Sequence, residues 1–171
     1  MTAPIQVAYL GPIYSYSYLA SLEHFGDSAD FVPVTTIAAV FDAMRLGHAN
    51  YGVVPLENST DGRIVDTLNI LASVDIEISA EINYAIHHNL IANCELSDIR
   101  EVHSKPQALS QCRNWLDSNL PEVLVYGASS STEAAQMITT VDMVRDGRFP
   151  AAIASRAAAE HFGIAIIAES I

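Results

Sequence analysis

Short apolar runs alternate with helical patterns along most of this chain, and this alternation is the strongest constraint on its fold. The runs are four to eight residues long and are bounded by turn formers, which is typical of strands buried in a parallel sheet. A repeated strand–helix order predicts an α/β fold with mostly parallel sheets. The predicted strands are Ile5–Leu10, Phe31–Val34, Tyr51–Val54, Ile76–Asn83, Ile86–Ala92, Arg100–His103, Val123–Tyr126, Ala151–Ala154 and Ile164–Ile167. The predicted helices are Ser17–Phe25, Thr36–Leu46, Arg63–Ala72, Pro106–Ser118, Thr132–Arg145 and Arg156–Phe162.

The alternation is interrupted once, between Asp75 and Asn93, where two strand-like runs follow each other without a helix. A long strand that passes from one lobe to a second lobe would give this pattern. We therefore expect two βα lobes with a ligand cleft between them. The first lobe is expected to cover about residues 1–79 together with the C-terminal end, and the second about residues 80–163.

The composition is that of an acidic globular protein. Half of the 171 residues are hydrophobic and 16% are charged, with 8 basic against 20 acidic side chains and a net charge of −12. Without a Lys/Arg cluster to replace phosphate counterions, we expect no nucleic-acid partner and no anionic membrane surface. A small anionic ligand is still compatible with this charge, because it responds to the local field of backbone dipoles.

The two cysteines, Cys94 and Cys112, have neither a C-x-x-C spacing nor neighbouring residues at the intervals of a zinc site. We expect no metal site and two free thiols in a reducing compartment. The N-terminal residues show neither a basic stretch nor an apolar stretch of a signal peptide. These features together predict a cytoplasmic protein.

Polar side chains follow several predicted strands at the point where each strand ends. Glu57, Asn58, Ser59 and Thr60 come just after Tyr51–Val54, ahead of a helix expected near Arg63. Three other strands are followed by similar groups: Ser15 and Ser17, then Ser104 and Lys105 with Gln111, then Ser129 to Thr132. Each group alone is also explained as an ordinary helix N-cap. Together, at the carboxyl ends of strands in an α/β sheet, they predict a site that holds a small polycarboxylate with mostly neutral donors.

Several of these motifs resemble those of the prephenate dehydratase family. The similar segments run in the family's order along nearly the whole chain: Tyr51 to Ser59 with Gly62, Ser104 with Pro106 to Leu109 and Gln111-Cys112, Ser131-Thr132 with Ala134-Ala135, and Ala152 to Ser155 with Ala158 to Glu160 and Phe162-Gly163. The resemblance implies two lobes like those of periplasmic binding proteins. It implies conversion of prephenate to phenylpyruvate with loss of water and carbon dioxide, on the route to phenylalanine.

The resemblance also implies a role for individual residues. It assigns catalysis to Asn58, Ser104, Gln111 and Thr132. It assigns substrate binding to Ser15, Glu57, Ser59, Thr60, Lys105 and Ser131. Because formation of an aromatic ring drives this reaction, we expect no metal and no other cofactor. The expected partner is the dicarboxylate substrate, prephenate. A homodimer is one assembly that the sequence allows.

The chain departs from the family pattern at three places. Tyr14, Ser15 and Tyr16 replace the glycine, threonine and phenylalanine of a Gly-Pro-x-Gly-Thr-Phe-Ser motif, and Lys105 stands where histidine is common. The family's Thr-Arg-Phe motif and its ACT domain would lie beyond Ile171, so we expect this sequence to be part of a longer chain. Two other functions stay open: a divergent enzyme that decarboxylates prephenate and retains the hydroxyl, and a non-catalytic module that binds a prephenate-like dicarboxylate or phenylalanine.

Overall fold

The computed structural model describes residues 4–60, 62–140 and 149–171 and has an α/β fold. The chain divides into two compact units, residues 1–85 and residues 86–171. The elements of the first unit are β1 (Gln6–Leu10), α1 (Tyr16–Phe25), β2 (Asp30–Val34), α2 (Ile37–Arg45), β3 (Tyr51–Val53), β4 (Glu57–Asn58), β5 (Gly62–Arg63) and α3 (Val65–Leu71). Those of the second unit are β6 (Asn89–Ala92), a short 3₁₀ helix (Leu96–Asp98), β7 (Ile99–Ser104), α4 (Pro106–Gln111), α5 (Arg113–Asn119), β8 (Leu124–Gly127), α6 (Ser131–Met137), β9 (Phe149–Ala154), α7 (Arg156–Phe162) and β10 (Ala165–Ala168).

The first unit is built on a parallel sheet with strand order β2-β1-β3. The central strand β1 is buried because Val7 and Ala8 are covered on both faces. Helix α2 begins after Thr36, whose hydroxyl accepts a hydrogen bond from the Ala39 amide at 3.1 Å, as expected of an N-cap. The helix then places Val40 on the core beside Ala8.

The second unit contains a five-stranded mixed sheet with strand order β10-β6-β9-β7-β8. Strand β7 is parallel to β8 and β9, whereas β6 is antiparallel to β9 and β10. The small side chains of Ala151, Ala152 and Ala154 let β9 be buried along its length. The prediction of mostly parallel pairing is therefore right for the first sheet and for half of the pairings in the second.

The prediction of a strand over Ile76–Asn83 is wrong, and the strand predicted over Ile86–Ala92 is confirmed only for Asn89–Ala92. Residues 75–88 form neither helix nor strand. Of the alternating apolar residues, Ile76 and Ile82 are half-buried, and Ile78 is 69% exposed. An alternating pattern becomes a strand only where a neighbouring strand forms hydrogen bonds with its backbone. This run instead lies at the end of the first unit, just before the second unit begins at residue 86.

Three predicted helices differ from those observed. The helix predicted over Pro106–Ser118 is interrupted at Cys112, whose φ of −90° and ψ of 3° lie outside the α region, so α4 ends at Gln111. The helix predicted to begin at Arg63 begins at Val65, because Arg63 pairs with Glu57 in a hairpin. The helix predicted over Thr132–Arg145 is observed as Ser131–Met137, and its end at residues 141–145 lies outside the described residues.

The C-terminal strand also differs from expectation. Strand β10 pairs with β6, with Ile166 opposite Ile91, so the C-terminal end lies in the second unit and not with the first lobe. This pairing satisfies the outer edge of β6, which would otherwise be exposed. Within the described residues, no helix reaches the length and apolar character required to cross a lipid bilayer.

Candidate functional site

The carboxyl ends of three parallel strands share one edge of the sheet in the second unit. Strand β7 ends at Ser104, β8 at Gly127 and β9 at Ala154, and each strand is followed by a helix. This edge is where open α/β sheets bind ligands. The predicted residues Ser104, Ser131 and Thr132 belong to the segments that leave this edge.

Ser104 and Ser131 form a hydroxyl pair. Ser104 is fully buried, and its Oγ donates to the Ile153 carbonyl at 2.7 Å. The same Oγ lies 3.0 Å from Ser131 Oγ. Because a serine hydroxyl carries one proton, Ser131 must be the donor to Ser104 whenever Ser104 donates to Ile153. The pair is thus a directed chain of two hydrogen bonds, and it leaves the lone pairs of Ser131 available to a ligand.

The start of helix α6 holds Ser131 in place. Ser130 is the N-cap, and its Oγ accepts from the Glu133 amide at 3.0 Å. The Glu133 carboxylate accepts from the Ser129 amide at 2.8 Å and from the Ser129 hydroxyl, and these bonds lower the pKa of Glu133. Within this serine run, Ser130 is therefore the helix N-cap, as the sequence allowed, whereas the Ser131 hydroxyl forms a hydrogen bond with Ser104. Thr132 follows and is buried, with 7% exposure.

Gln111 and Lys105 lie at opposite ends of helix α4. Lys105 precedes the helix and is exposed, and Pro106 occupies the first helical position, as expected. Gln111 is the last residue of the helix. Its Oε1 lies 2.7 Å from Nε2 of His88, a residue 23 positions earlier in the chain.

In the first unit, Ser15 follows strand β1 and caps helix α1. Its Oγ accepts from the Tyr18 amide at 3.3 Å and donates to the Leu10 carbonyl at 3.1 Å. Both hydrogen-bonding roles of this hydroxyl are therefore used within the turn. The residue before it, Tyr14, has a φ of 64°, in the left-handed region that favours glycine.

The segment after strand β3 forms a β-hairpin with two residues in each strand, ahead of the start of helix α3. Glu57 and Asn58 pair with Arg63 and Gly62, and Asn58 Oδ1 accepts from the Thr60 amide at 3.0 Å. Glu57, Ser59 and Thr60 are exposed. The helix expected near Arg63 follows this hairpin and begins at Val65, so the polar atoms of this segment lie on a turn that precedes the helix by several residues.

The predicted site residues divide between the two units. Ser15 and the group from Glu57 to Thr60 belong to the first unit, and the residues from Ser104 to Thr132 to the second. The structure joins Ser104 to Ser131 and Asn58 to Thr60 by hydrogen bonds.

Sequence reasoning missed His88 as a neighbour of Gln111. Both His87 and His88 fall within the predicted strand Ile86–Ala92, but they precede the observed strand β6. A contact across 23 positions leaves no signal in local spacing. Among the described residues, no three or more His, Cys, Asp or Glu side chains are grouped so that they could hold a metal ion.

Comparisons with known proteins agree on one family. The prephenate dehydratase family model matches residues 7–171. The bifunctional chorismate mutase/prephenate dehydratase of Stutzerimonas stutzeri is 39% identical over 170 residues, which cover 98% of this chain and 45% of that protein. The prephenate dehydratase of Amycolatopsis methanolica is 33% identical over 167 residues, covering 97% of this chain and 53% of that protein.

A solved structure gives the same result for the fold. The prephenate dehydratase of Arthrobacter aurescens, in complex with L-Phe, is similar with a TM-score of 0.86 at 29% identity. The similarity covers 98% of this chain and 55% of that chain. The present chain thus spans about half the length of the curated relatives that it matches.

Proposed function

Because the chain belongs to the prephenate dehydratase family, we propose that the protein of which it forms part converts prephenate to phenylpyruvate in phenylalanine biosynthesis. The observation that supports this most directly is the Ser104–Ser131 hydroxyl pair at the carboxyl edge of the second sheet. Two residues from separate motifs, 27 positions apart, share a hydrogen bond there. Because both protons of the pair are used within it, the free lone pairs of Ser131 suit the ring hydroxyl of the substrate, which can donate.

The proposed reaction balances without a redox partner. The bond between the ring and its carboxylate breaks, carbon dioxide leaves, and the electron pair enters the ring. The bond from the ring to the hydroxyl breaks with its electron pair on oxygen, and that oxygen takes a proton to leave as water. Phenylpyruvate keeps the side-chain carboxylate. Formation of the aromatic ring supplies the driving force, so the protein needs only to position the dianion and to assist the departing hydroxyl.

We assign the individual roles as follows. Asn58, Ser104, Gln111 and Thr132 are proposed as catalytic residues. The amides of Asn58 and Gln111 and the hydroxyl of Thr132 can donate to the leaving oxygen, and the Ser104 hydroxyl can do so once its proton leaves the Ile153 carbonyl. The proposed binding residues are Ser15, Glu57, Ser59, Thr60, Lys105 and Ser131. Lys105 would supply a positive charge next to Ser104 for a substrate carboxylate. We place the reaction in the cytoplasm, which the free thiols of Cys94 and Cys112 support.

The test is turnover of prephenate by the full-length protein, followed by the absorbance of phenylpyruvate in alkali. We expect Ser104→Ala to lower kcat/KM about a hundredfold, because it removes a donor and leaves Ser131 without its acceptor. Ser118→Ala is the matched control, since the Ser118 hydroxyl only donates to the Asn114 carbonyl on an exposed helix face. If the wild type produces no phenylpyruvate while a known dehydratase does so in the same assay, the proposed function is wrong.

A second function is favoured by the left-handed backbone of Tyr14, where the family motif has glycine. An altered turn beside Ser15 would suit a relative that decarboxylates prephenate and retains the hydroxyl. Product mass separates the two enzymes, because a retained hydroxyl leaves the product heavier by one water. Calorimetry with prephenate and with L-phenylalanine tests the third alternative, since tight binding without turnover would indicate a binding module.

A further inference from the structure

His88 and Gln111 make a short hydrogen bond in the second unit. The distance from His88 Nε2 to Gln111 Oε1 is 2.7 Å, at the short end of the range for a nitrogen–oxygen hydrogen bond. Gln111 ends helix α4, and His88 precedes strand β6. Because an amide oxygen only accepts hydrogen bonds, the His88 ring must carry its proton on Nε2.

The main chain around His88 is fixed by the C-terminal segment. The His88 carbonyl accepts from the Ile171 amide at 2.9 Å. The next residue, Asn89, is buried, and its Oδ1 accepts from the Ser170 amide at 3.2 Å. Asn89 Nδ2 also lies 3.4 Å from the Ala154 carbonyl, at the end of strand β9. These bonds fix the main chain at His88 and Asn89, and the His88 ring extends from this fixed main chain to Gln111.

The main chain of Gln111 is fixed on its other side by Cys112. The Cys112 amide donates to the Ala108 carbonyl at 3.0 Å, and its side chain is 1% exposed within the hydrophobic core. Cys112 Sγ also lies 3.7 Å from the Ile171 carbonyl. His88 and Cys112, the residue after Gln111, therefore both contact the same C-terminal residue, Ile171.

We propose that His88 is a positioning residue that orients the side-chain amide of Gln111 toward the substrate. A glutamine amide has an acceptor end and a donor end. When His88 holds Oε1, the two N–H donors of Gln111 lie in the amide plane on the opposite side of Cδ, and they point away from the histidine. This fixed direction of the donors suits a substrate carboxylate or the departing hydroxyl. This inference rests on the proposed function, in which Gln111 contacts the substrate.

The first experiment compares two substitutions of His88 in the full-length protein. His88→Leu removes the donor, and we expect kcat/KM for prephenate to fall about tenfold. A tenfold change corresponds to the free energy of about one hydrogen bond. His88→Gln restores an N–H donor at a similar distance from the main chain, so kcat/KM should stay within about threefold of the wild type. His87→Leu is the matched control, because the His87 ring contacts Ser170 instead, at 3.4 Å.

A mutant cycle separates positioning from a general structural effect. If His88 acts through Gln111, His88→Leu should cause no further loss in a Gln111→Met background. An equal loss in both backgrounds, or unchanged turnover by His88→Leu alone, would overturn the inference. Cooperative urea unfolding of each variant, with an unchanged m value, shows that the variants fold.

Nitrogen-15 NMR of the histidine rings tests the geometry without turnover. At about pH 8, where an ordinary imidazole is neutral, the His88 ring should carry its proton on Nε2, and Gln111→Met should shift that signal. A proton on Nδ1 would contradict the inference. If the wild type does not convert prephenate, the proposed function fails, and the response of the Nε2 signal to Gln111→Met still decides whether His88 contacts Gln111.

Discussion

Tyr14 has a backbone conformation that a side chain disfavours. Its φ of 64° costs about 1–2 kcal/mol for a residue other than glycine. The turn around it is held by the Ser15 amide, which donates to the Pro12 carbonyl at 3.2 Å. The Tyr14 ring packs edge to face on Tyr18 with 5.6 Å between ring centroids. The aromatic contact offsets part of the backbone cost, so a tyrosine is tolerated at this position.

We predict that Tyr14→Gly is more stable than Tyr14→Ala by about 1 kcal/mol. Both substitutions remove the ring, but only glycine adopts the positive φ without strain, and this gain exceeds the entropy that glycine adds to the unfolded chain. The free energy of unfolding in urea measures the difference. Equal stability of the two variants would show that the turn relaxes to a negative φ when the ring is removed.

His103 is a buried histidine whose titration should affect stability. Its Nε2 is buried, lies 3.6 Å from Glu101 Oε2, and has no hydrogen-bond partner in the described structure. Its ring stacks on Tyr126 with centroids 5.1 Å apart. Burial lowers the pKa of His103 below its ordinary value of 6.5, although Glu101 opposes this shift. The folded state therefore favours the neutral ring.

The sign of the pH dependence follows from this shift. A depressed pKa means that the unfolded chain binds the proton more readily, so the stability contributed by His103 is present above pH 6.5 and falls as the pH drops below that value. Urea unfolding on both sides of that pH should show a larger loss of stability for the wild type than for His103→Phe.

At the scale of elements, the sequence predicts strands and helices where local rules and burial agree. Strands β1 and β3 and the start of helix α2 after Thr36 are confirmed within a residue or two. The strand predicted over Ile76–Asn83 was wrong because alternation shows only that a strand could form, while pairing depends on distant residues. The break at Cys112 was also missed, since neither glycine nor proline marks it.

The packing of β3 on α2 depends on Gly52. A Cβ at this position would lie 2.8 Å from Val40 Cγ1 and would also overlap Met44 Sδ. Met44 can change its rotamer, but Val40 is β-branched and buried, so the strand or the helix would have to move. We predict that Gly52→Ala lowers the free energy of unfolding by about 1–3 kcal/mol.

Gly127→Ala is the control for that substitution. A Cβ at Gly127, on strand β8, would meet Pro106 Cγ at an ordinary contact distance of 3.5 Å. Its free energy of unfolding should change by less than about 0.5 kcal/mol. A similar loss for both variants would indicate a general cost of alanine in these strands and not the overlap with Val40.

At the scale of the whole chain, the sequence predicts which segments meet at one edge of a sheet better than it predicts individual contacts. The rule that ligands bind at the carboxyl ends of strands brought Ser104 and Ser131 together correctly, because both follow parallel strands of one sheet. The contact between Gln111 and His88 could not be predicted, since it depends on an irregular segment and on the C-terminal residues. The periodicity of apolar residues along the chain does not predict contacts between residues that are far apart in the sequence.

For the proposed conversion of prephenate, the chemistry and the side chains together predict that turnover does not depend on a metal ion. Loss of carbon dioxide and water transfers no electrons to an acceptor, and aromatisation drives it. Burial raises the pKa of Cys112 to about 11, so this thiol stays protonated at neutral pH and is a poor metal ligand. We expect exhaustive treatment of the full-length protein with a chelator to leave kcat and KM for prephenate unchanged, as measured by phenylpyruvate formation. Loss of activity that a single divalent cation restores would show that a metal takes part.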